Sequence, residues 1–318
     1  MNEITKVFVA GHKGMVGSSI IRSLSSKKNL EIITENKSNL DLTDQNATYD
    51  FFLKHSFDHV FLAAAKVGGI NANNSYPAHF IFENIMIQTN VIHACYMSNV
   101  KKLLFLGSSC IYPKNNRQPM KEGDLLSGKL ELTNEPYAIA KIAGIKMCES
   151  YNREFDTDFR SIMPTNLYGE GDNFHLENSH VVPALIRKFH EAVIEESEMV
   201  EVWGSGNVTR EFLYVDDLAS AAIHILSLDQ NKYQAITANQ LSHINVGTEE
   251  EISISKLAHT IADIAGFNGK IVFNDSKPEG PNRKVIDSSL IRSTGWSPST
   301  PLMEGLNKTF ECYKRSLK

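Results

Sequence analysis

The sequence predicts an α/β protein, built as a doubly wound parallel sheet with a smaller, discontinuous second α/β lobe. Three observations lead there. Short apolar runs at residues 6–10, 30–33, 58–65 and 102–106 alternate with longer amphipathic segments, and repeated strand-helix units of this kind form parallel sheets through right-handed crossovers. A glycine-rich turn, Gly11-His-Lys-Gly14-Met-Val-Gly17, follows the first run at once. Beyond Gly169 the alternation loosens in a chain of 318 residues, and single cores stop growing at roughly 250–300 residues. Residues 1–166 are therefore expected to form the first lobe, with returns to it around 212–230 and 284–292, and residues 167–318 to form mainly the second.

Composition narrows the class. With 42% hydrophobic and 22% charged residues, the chain reads as an ordinary globular protein. A formal net charge of −5 without any block of cations offers no electrostatic footprint for nucleic acid or an anionic membrane. The start, Met-Asn-Glu-Ile-Thr-Lys-Val, lacks the apolar core of a signal peptide, and no run approaches a membrane span, so a cytosolic location is expected. Cys95, Cys110, Cys148 and Cys312 are too sparse for a disulfide framework and lack zinc-site spacing. They read as reduced thiols, and no metal is expected.

A strand, a glycine turn and a helix running to about Ser26 place free backbone N–H groups and a positive helix end where a pyrophosphate can sit. The spacing Gly-x-x-Gly-x-x-Gly differs from the usual dinucleotide fingerprint, so its position behind the first strand carries the assignment to a Rossmann-type site. Residues just after the second strand select the cofactor, since an acid there bonds ribose hydroxyls whereas cations accept a 2′-phosphate. Glu35 competes with Lys37 and with Lys13 of the glycine turn, and two cations able to converge on one phosphate favour NADP. Asp41-Leu42-Thr43-Asp44 opens a helix, with Asp41 or Thr43 as its cap. The small Ala63-Ala64-Ala65 end of the third strand leaves room for an adenosine, and a helix is expected over 84–99.

The stretch 103–141 carries the chemistry. An apolar strand feeds Gly107-Ser108-Ser109-Cys110, and after a polar loop comes Pro136-Tyr137-Ala-Ile-Ala-Lys141. Residues four apart share a helix face, so Tyr137 and Lys141 project together, and Pro136 suits the first turn. A tyrosine of pKa ~10 is a weak acid–base group at neutral pH, and an adjacent ammonium favours its phenolate. Ser108, at the strand end, can share a carbonyl oxygen with Tyr137. Tyrosine and lysine at this spacing alone fit any solvated helix face; together with the glycine turn and the strand-end serine they indicate carbonyl reduction.

With these motifs the sequence resembles the extended short-chain dehydrogenase/reductase superfamily and, within it, the GDP-L-fucose synthases. The specific segments are Gly11–Gly17, Ala64-Ala-Lys-Val-Gly-Gly-Ile70, Gly107-Ser-Ser-Cys-Ile-Tyr-Pro113, Asn134-Glu-Pro-Tyr-Ala-Ile-Ala-Lys141 and Pro164-Thr-Asn-Leu-Tyr-Gly169. The resemblance covers nearly the whole chain. It implies that GDP-4-keto-6-deoxy-mannose is epimerised at C3 and C5 and then reduced at C4 by NADPH. Ser108, Tyr137 and Lys141 would be the reducing triad, with Cys110 and His180 serving the epimerisations. It further implies cofactor contacts from Gly11, Lys13, Gly14, Met15, Val16, Gly17, Lys37, Asp41, Leu42, Ala64, Lys141, Pro164, Asn166, Leu167 and His180, sugar-nucleotide contacts from Lys188, Trp203, Arg210 and Lys270, and a homodimer. Nearly the same residues would serve a 3,6-dideoxy substrate giving GDP-L-colitose. A non-catalytic NADP sensor would show a broken Ser/Tyr/Lys set, and all three are present.

The implied chemistry is intelligible from the residues. A C4 ketone acidifies the C–H bonds at C3 and C5, so inversion needs a base on one face, an acid on the other and donors to the enolate oxygen. Cys110, two residues beyond Ser108, is placed to be the base, with a thiol pKa of ~8.5. His180, whose unperturbed pKa lies near neutrality, would reprotonate from the opposite face. Ser109-Cys110 stands where the superfamily's dehydratases have an acid beside the serine, which argues against dehydration.

In the second half a helix is expected from Val182 to about Glu196 and a strand over 200–203. Arg187, Lys188, Arg210 and Lys270 could converge on a diphosphate, and Trp203 could stack on guanine; surface salt bridging is the plainer alternative for the cations. Asp216-Asp217 reads as the cap of a helix through Leu228. Residues 245–247 add a strand, 250–265 a helix and 277–281 a loop.

Overall fold

A computed structural model describes residues 4–175, 179–277 and 280–317. The first residues of the signal-peptide reading, Asn178 ahead of His180, and Pro278 and Glu279 of the expected 277–281 loop lie outside them. In chain order the first lobe begins with β1 (Thr5–Ala10), α1 (Met15–Ser25), β2 (Leu30–Ile33), α2 (Gln45–His55), β3 (His59–Leu62), α3 (Ile70–Ser75), α4 (Pro77–Met97) and β4 (Lys102–Leu106). Then come α5 (Glu135–Phe155), β5 (Phe159–Pro164), β6 (Asn166–Tyr168), α6 (Val181–Ile194), β7 (Met199–Trp203), β8 (Thr209–Tyr214), α7 (Val215–Ser227) and α8 (Gln230–Ile236). The chain ends with β9 (His243–Val246), β10 (Glu251–Ser253), α9 (Ile254–Ala265), β11 (Lys270–Asn274), β12 (Arg283–Lys284), α10 (Ser289–Ser293) and α11 (Leu302–Ser316).

Six strands form one parallel sheet in the order β2-β1-β3-β4-β5-β9. The strand order reverses between β1 and β3, and the crevice at the carboxyl ends there is where open α/β sheets take their ligands. Apolar side chains cover both sheet faces. One face packs Phe8, Phe52, Leu62, Phe105 and Phe159 with α2, α4 and α5 residues; the other packs Val7, Val9, Leu104 and Ile162 with α1 and α7. Each such fully buried side chain contributes about 1.5–3 kcal/mol. The second lobe has its own core, in which Leu185, Ile186 and Phe189 of α6 meet Leu257 and Ile261 of α9 and Phe310 of α11. Around it β8 pairs with β6, β10 and β12, and β11 pairs with β7.

Several boundaries differ from the sequence expectation. Helix α2 is capped by neither Asp41 nor Thr43: Asp44 accepts the Ala47 N–H, while Asp41 folds onto Thr43, accepting its N–H and its hydroxyl. Helix α4 starts at Pro77, ahead of the expected residue 84, because that proline occupies its first turn. Asp216 and Asp217 lie in the first turn of α7 without capping it. Asp216 instead accepts from Ser19 and Arg22 of α1, and Asp217 accepts from Ser299 and from the Thr300 N–H. Ser253 caps α9, after residues 251–253 have formed β10. The strand expected at 245–247 is β9, the sixth strand of the large sheet, since His243–Val246 are buried throughout. Residues of α7, β9 and α10 thus join the first lobe.

Candidate active site

Every residue assigned above to catalysis or to cofactor contact lines a single cavity of about 1020 Å³ at the switch point of the sheet. That is the upper end of ligand-site volumes, ~300–1,000 Å³, as a dinucleotide and a sugar together would need. The glycine turn leaves β1 with Gly11 at φ +85°, and a side chain there would stand 2.7 Å from the Ala64 backbone nitrogen. The turn and the end of β3 can therefore meet only through glycine. At the far end of the cavity, beyond β2, the Glu35 carboxylate is already engaged by the Asn36 N–H at 2.8 Å and by Asn39 at 2.9 Å, which together hold its pKa below the ordinary value. Lys13 and Lys37 line the cavity beside it; Lys37 lies 3.8 Å from Glu83 and Lys13 forms no ion pair among the described residues. Asn36 Oδ1 is buried without a partner in the same wall. Glu35 satisfied and two cations available is the arrangement that fits a 2′-phosphate rather than free ribose hydroxyls.

Ser108 leaves the end of β4 in extended conformation, and Ser109–Ile111 make a single 3₁₀ turn that brings Cys110 back towards it. The Cys110 N–H lies 3.5 Å from the Ser108 hydroxyl oxygen, and the same hydroxyl favours the ionised forms of the Cys110 thiol and the Tyr137 phenol. Tyr137 is held edge-on against Phe80 at 6.2 Å. One helical turn on, Lys141 donates to the Leu106 carbonyl at 2.8 Å and lies over the Phe105 ring at 4.8 Å. These contacts offset part of the cost of burying its ammonium.

Electrostatics here departs from the sequence expectation. The Lys141 ammonium does not draw the Tyr137 pKa down. Burial dominates: it raises the phenol well above its usual value, with Cys110 adding to the rise and Ser108 opposing it, and it lowers Lys141 to about 8. Tyr137 is thus a neutral proton donor in the ligand-free site. Burial also raises the Cys110 thiol, against the pull of Lys284, Ser108 and Lys141. His180 sits just ahead of α6, open to the cavity, and burial followed by Lys284 lowers its pKa.

The residues chosen for the sugar nucleotide behave unevenly, and none lines this cavity. Lys188 and Trp203 come together, with the ammonium 5.6 Å from the ring centre. Lys270 does not join them. The β7–β11 register pairs Lys270 with Met199 and Asn274 with Trp203, so four residues of strand, about 13 Å at ~3.3 Å each, separate Lys270 from the indole. The second cation over that ring is Lys277, at 5.5 Å. Arg187 is turned to Glu191 and the Phe174 carbonyl, and Arg210 donates to the Thr209 and Pro281 carbonyls.

Three polar residues that sequence reasoning passed over also line the cavity. Lys284 reaches it from β12, Asn134 presents a buried carbonyl oxygen without a partner, and Asp172 buries one carboxylate oxygen unpartnered while the other accepts the Asn173 N–H at 2.7 Å. No spacing relates them to Ser108; the sequence signals were that Asn134 opens the segment ending in Lys141 and that Lys284 opens the expected return to the first lobe. Burial raises Asp172 to about 7. The folded chain then keeps a proton that the unfolded chain loses near pH ~4, so this group lowers stability as pH rises from about 4 to 7. Asp172→Asn should therefore raise the melting temperature by a few degrees more at pH 8 than at pH 5. Calorimetry giving equal gains at both would show an ordinary, ionised carboxylate.

The NAD dependent epimerase/dehydratase family model matches residues 7–247. The chain is 54% identical over 308 residues to the GDP-L-fucose synthase of Escherichia coli (strain K12), covering 97% of this chain and 96% of that one. Among solved structures it matches a GDP-6-OMe-4-keto-L-xylo-heptose reductase from C. jejuni with a TM-score of 0.92 and 36% identity, covering 99% of each chain. It also matches a GDP-L-fucose synthetase from Naegleria fowleri bound to NADP, with a TM-score of 0.87 and 25% identity over 100% of this chain and 96% of that one. Sequence and backbone agree over nearly the full length, and on that agreement the chain belongs to the NAD dependent epimerase/dehydratase family.

Proposed function

We propose that the chain converts GDP-4-keto-6-deoxy-mannose to GDP-L-fucose, inverting C3 and C5 and then reducing C4 with NADPH. The observation that carries this is the place of Ser108, whose hydroxyl oxygen lies 3.5 Å from the Cys110 N–H in the one cavity that Tyr137, Cys110 and His180 also line. One group thereby serves a carbonyl oxygen and the base working on its neighbouring carbons. A simple reductase needs only Ser108, Tyr137 and Lys141; Cys110 and His180 facing the same cavity supply the acid–base pair that inversion requires. The 54% identical relative of that name supports the choice of sugar.

In the inversion stage the Ser108 and Tyr137 hydroxyls donate to the C4 oxygen, so the electrons released at C3 or C5 collect on an enolate oxygen held by two donors. Cys110 as thiolate takes the carbon-bound proton, and His180 as imidazolium returns one from the other face. In the reduction stage Tyr137 gives its phenolic proton to the C4 oxygen, and Lys141 with Ser108 steadies the phenolate left behind. The nicotinamide, when bound, supplies the hydride to C4; the Gly11–Gly17 turn would hold its pyrophosphate, and Lys13 with Lys37 its 2′-phosphate. The nucleotide end of the substrate is assigned to the Lys188, Trp203 and Arg210 region of the second lobe.

We assign the protein to the cytosol as part of this reading, its four cysteines being too sparse for a disulfide framework. No helix among the described residues is long and apolar enough to cross a membrane. A homodimer through α4 and α5 would cover Phe82, Met97, Ile139 and Phe155, which these helices expose.

The test is product identification after incubation with the keto-sugar nucleotide and NADPH, on protein whose mass in solution is measured by sedimentation. GDP-L-fucose from a dimer is expected. NADPH should outperform NADH by about tenfold or more, the worth of one phosphate ion pair at ~1.4 kcal/mol. Preferred turnover of the 3-deoxy compound would reassign the enzyme to GDP-L-colitose synthesis, and a preference for NADH would overturn the roles of Lys13 and Lys37.

A further inference from the structure

Lys284 enters the cavity from the second lobe on a strand of only two residues, so its placement depends on what pins that strand. The pinning is thorough. Lys284 stands opposite Arg210 in the parallel β8–β12 ladder, the Val285 N–H donates to Gln118 at 2.8 Å, and the Ile286 N–H donates to the buried Glu211 carboxylate at 3.0 Å. Such fixing suits a side chain whose charge must be delivered to one spot.

The ammonium itself lacks a hydrogen-bond or ion-pair partner among the described residues. The charged groups that face it are Arg210 and Glu211 of β8, Glu131 from the loop ahead of α5, His180 from the start of α6, and Cys110. Both carboxylates are committed elsewhere. Glu211 accepts the Thr248, Glu249 and Ile286 N–H groups, and Glu131 accepts from Thr133 and lies 3.7 Å from Lys114. A cation withdrawn from bulk water without a carboxylate of its own is costly unless an anion forms beside it. Other acids line the cavity, Asp172 and Tyr137 among them, but of the cavity's titratable groups it is the Cys110 thiol whose charge bears on Lys284.

We propose that Lys284 is a positioning residue for the inversion step, its ammonium holding Cys110 as the thiolate that removes the proton from the sugar. Around Cys110 the other charged or titratable groups are Lys141 and Tyr137, both from α5. Lys141 is tied to the Leu106 carbonyl and loses charge near pH 8, and Tyr137 is neutral; burial lowers Lys284 as well, but among the described residues its ammonium has no acceptor that holds it away from Cys110. It acts on Cys110 ahead of Lys141. The same charge disfavours the imidazolium of His180, making it the more willing proton donor to carbon. The part played in inversion rests on the epimerase reading above; the pull of Lys284 on the Cys110 thiol, against burial, does not.

The experiment measures the pH dependence of Cys110 alkylation by iodoacetamide on the full chain, without substrate, following the Cys110 peptide by mass spectrometry. Lys284→Met should raise the midpoint by about one pH unit or more, the effect expected of an opposite charge within ~4–6 Å. Lys284→Arg should restore most of it, and solvent-deuterium exchange at sugar C3 and C5 at pH 7 should fall about tenfold in the Met variant, following the thiolate fraction. If the Met variant does not fold, Lys284→Gln is measured in its place. An unchanged midpoint in a folded, charge-free variant overturns the proposal, and if turnover has nonetheless fallen, Lys284 belongs to an anionic part of the substrate. Because alkylation uses no sugar, a failure of the proposed substrate leaves this result standing, and the reverse also holds.

Discussion

Tyr137→Phe is expected to slow C4 reduction by about 10²–10⁴-fold, the usual worth of a positioned general acid, while solvent-deuterium exchange at C3 and C5 falls far less. In the proposed mechanism the phenol gives the proton of the reduction, and its buried, neutral state in the structure is the form that can donate. In the exchange reaction Ser108 still supplies a hydrogen bond to the enolate oxygen. NADPH absorbance and proton NMR in deuterated water read the two activities from the same sample. Equal losses in both would show that Tyr137 does no separate work in reduction. The parent should also lose reduction above pH 8: Lys141, lowered to about 8, is charged below that value and neutral above it, and a neutral amine cannot steady the tyrosinate that each turnover leaves behind.

Cys110→Ser is expected to give the converse, suppressing exchange at C3 and C5 by about 10²–10⁴-fold. The substitution keeps the size and the place on the 3₁₀ turn, yet exchanges a thiol whose anion two lysines favour against the effect of burial for a hydroxyl that stays protonated throughout the accessible pH range. Label should still enter neither position after long incubation with NADP⁺ in place of NADPH, where reduction cannot mask exchange. Exchange at the parent rate would remove Cys110 from the base role and leave His180 or a bound water to explain inversion.

Much of the first lobe could be read along the chain. The strands β2 and β4 fall where the apolar runs at 30–33 and 102–106 stand, because strands covered on both faces appear as unbroken hydrophobic stretches. The Tyr137–Lys141 pairing and the place of Ser108 follow equally from short-range geometry, a helix period and a strand end. Helix starts were read less well. Asp41, Thr43 and Asp44 are all capable caps, and hydrophobic pattern does not choose among them; the fold turned Asp41 onto Thr43 and left Asp44 for α2.

What decided the rest was the register between distant segments. Lys270 and Lys277 are equally plausible phosphate ligands by composition, and the β7–β11 ladder alone puts Lys277 at Trp203 and Lys270 at the other end. Lys284 has no local mark of function; it reaches the cavity that Cys110 lines because β12 adds to β8 and Glu211 fixes the backbone that follows. Desolvation worked in the same way on Tyr137, raising a pKa that the neighbouring lysine had been expected to lower. Residue type, strand end and helix period are local properties, and they were sufficient to anticipate that Ser108, Tyr137, Lys141 and Cys110 would line one cavity. Charge state, and the cations that face that base, depend on what surrounds each group in three dimensions, and only the folded chain brings those surroundings together.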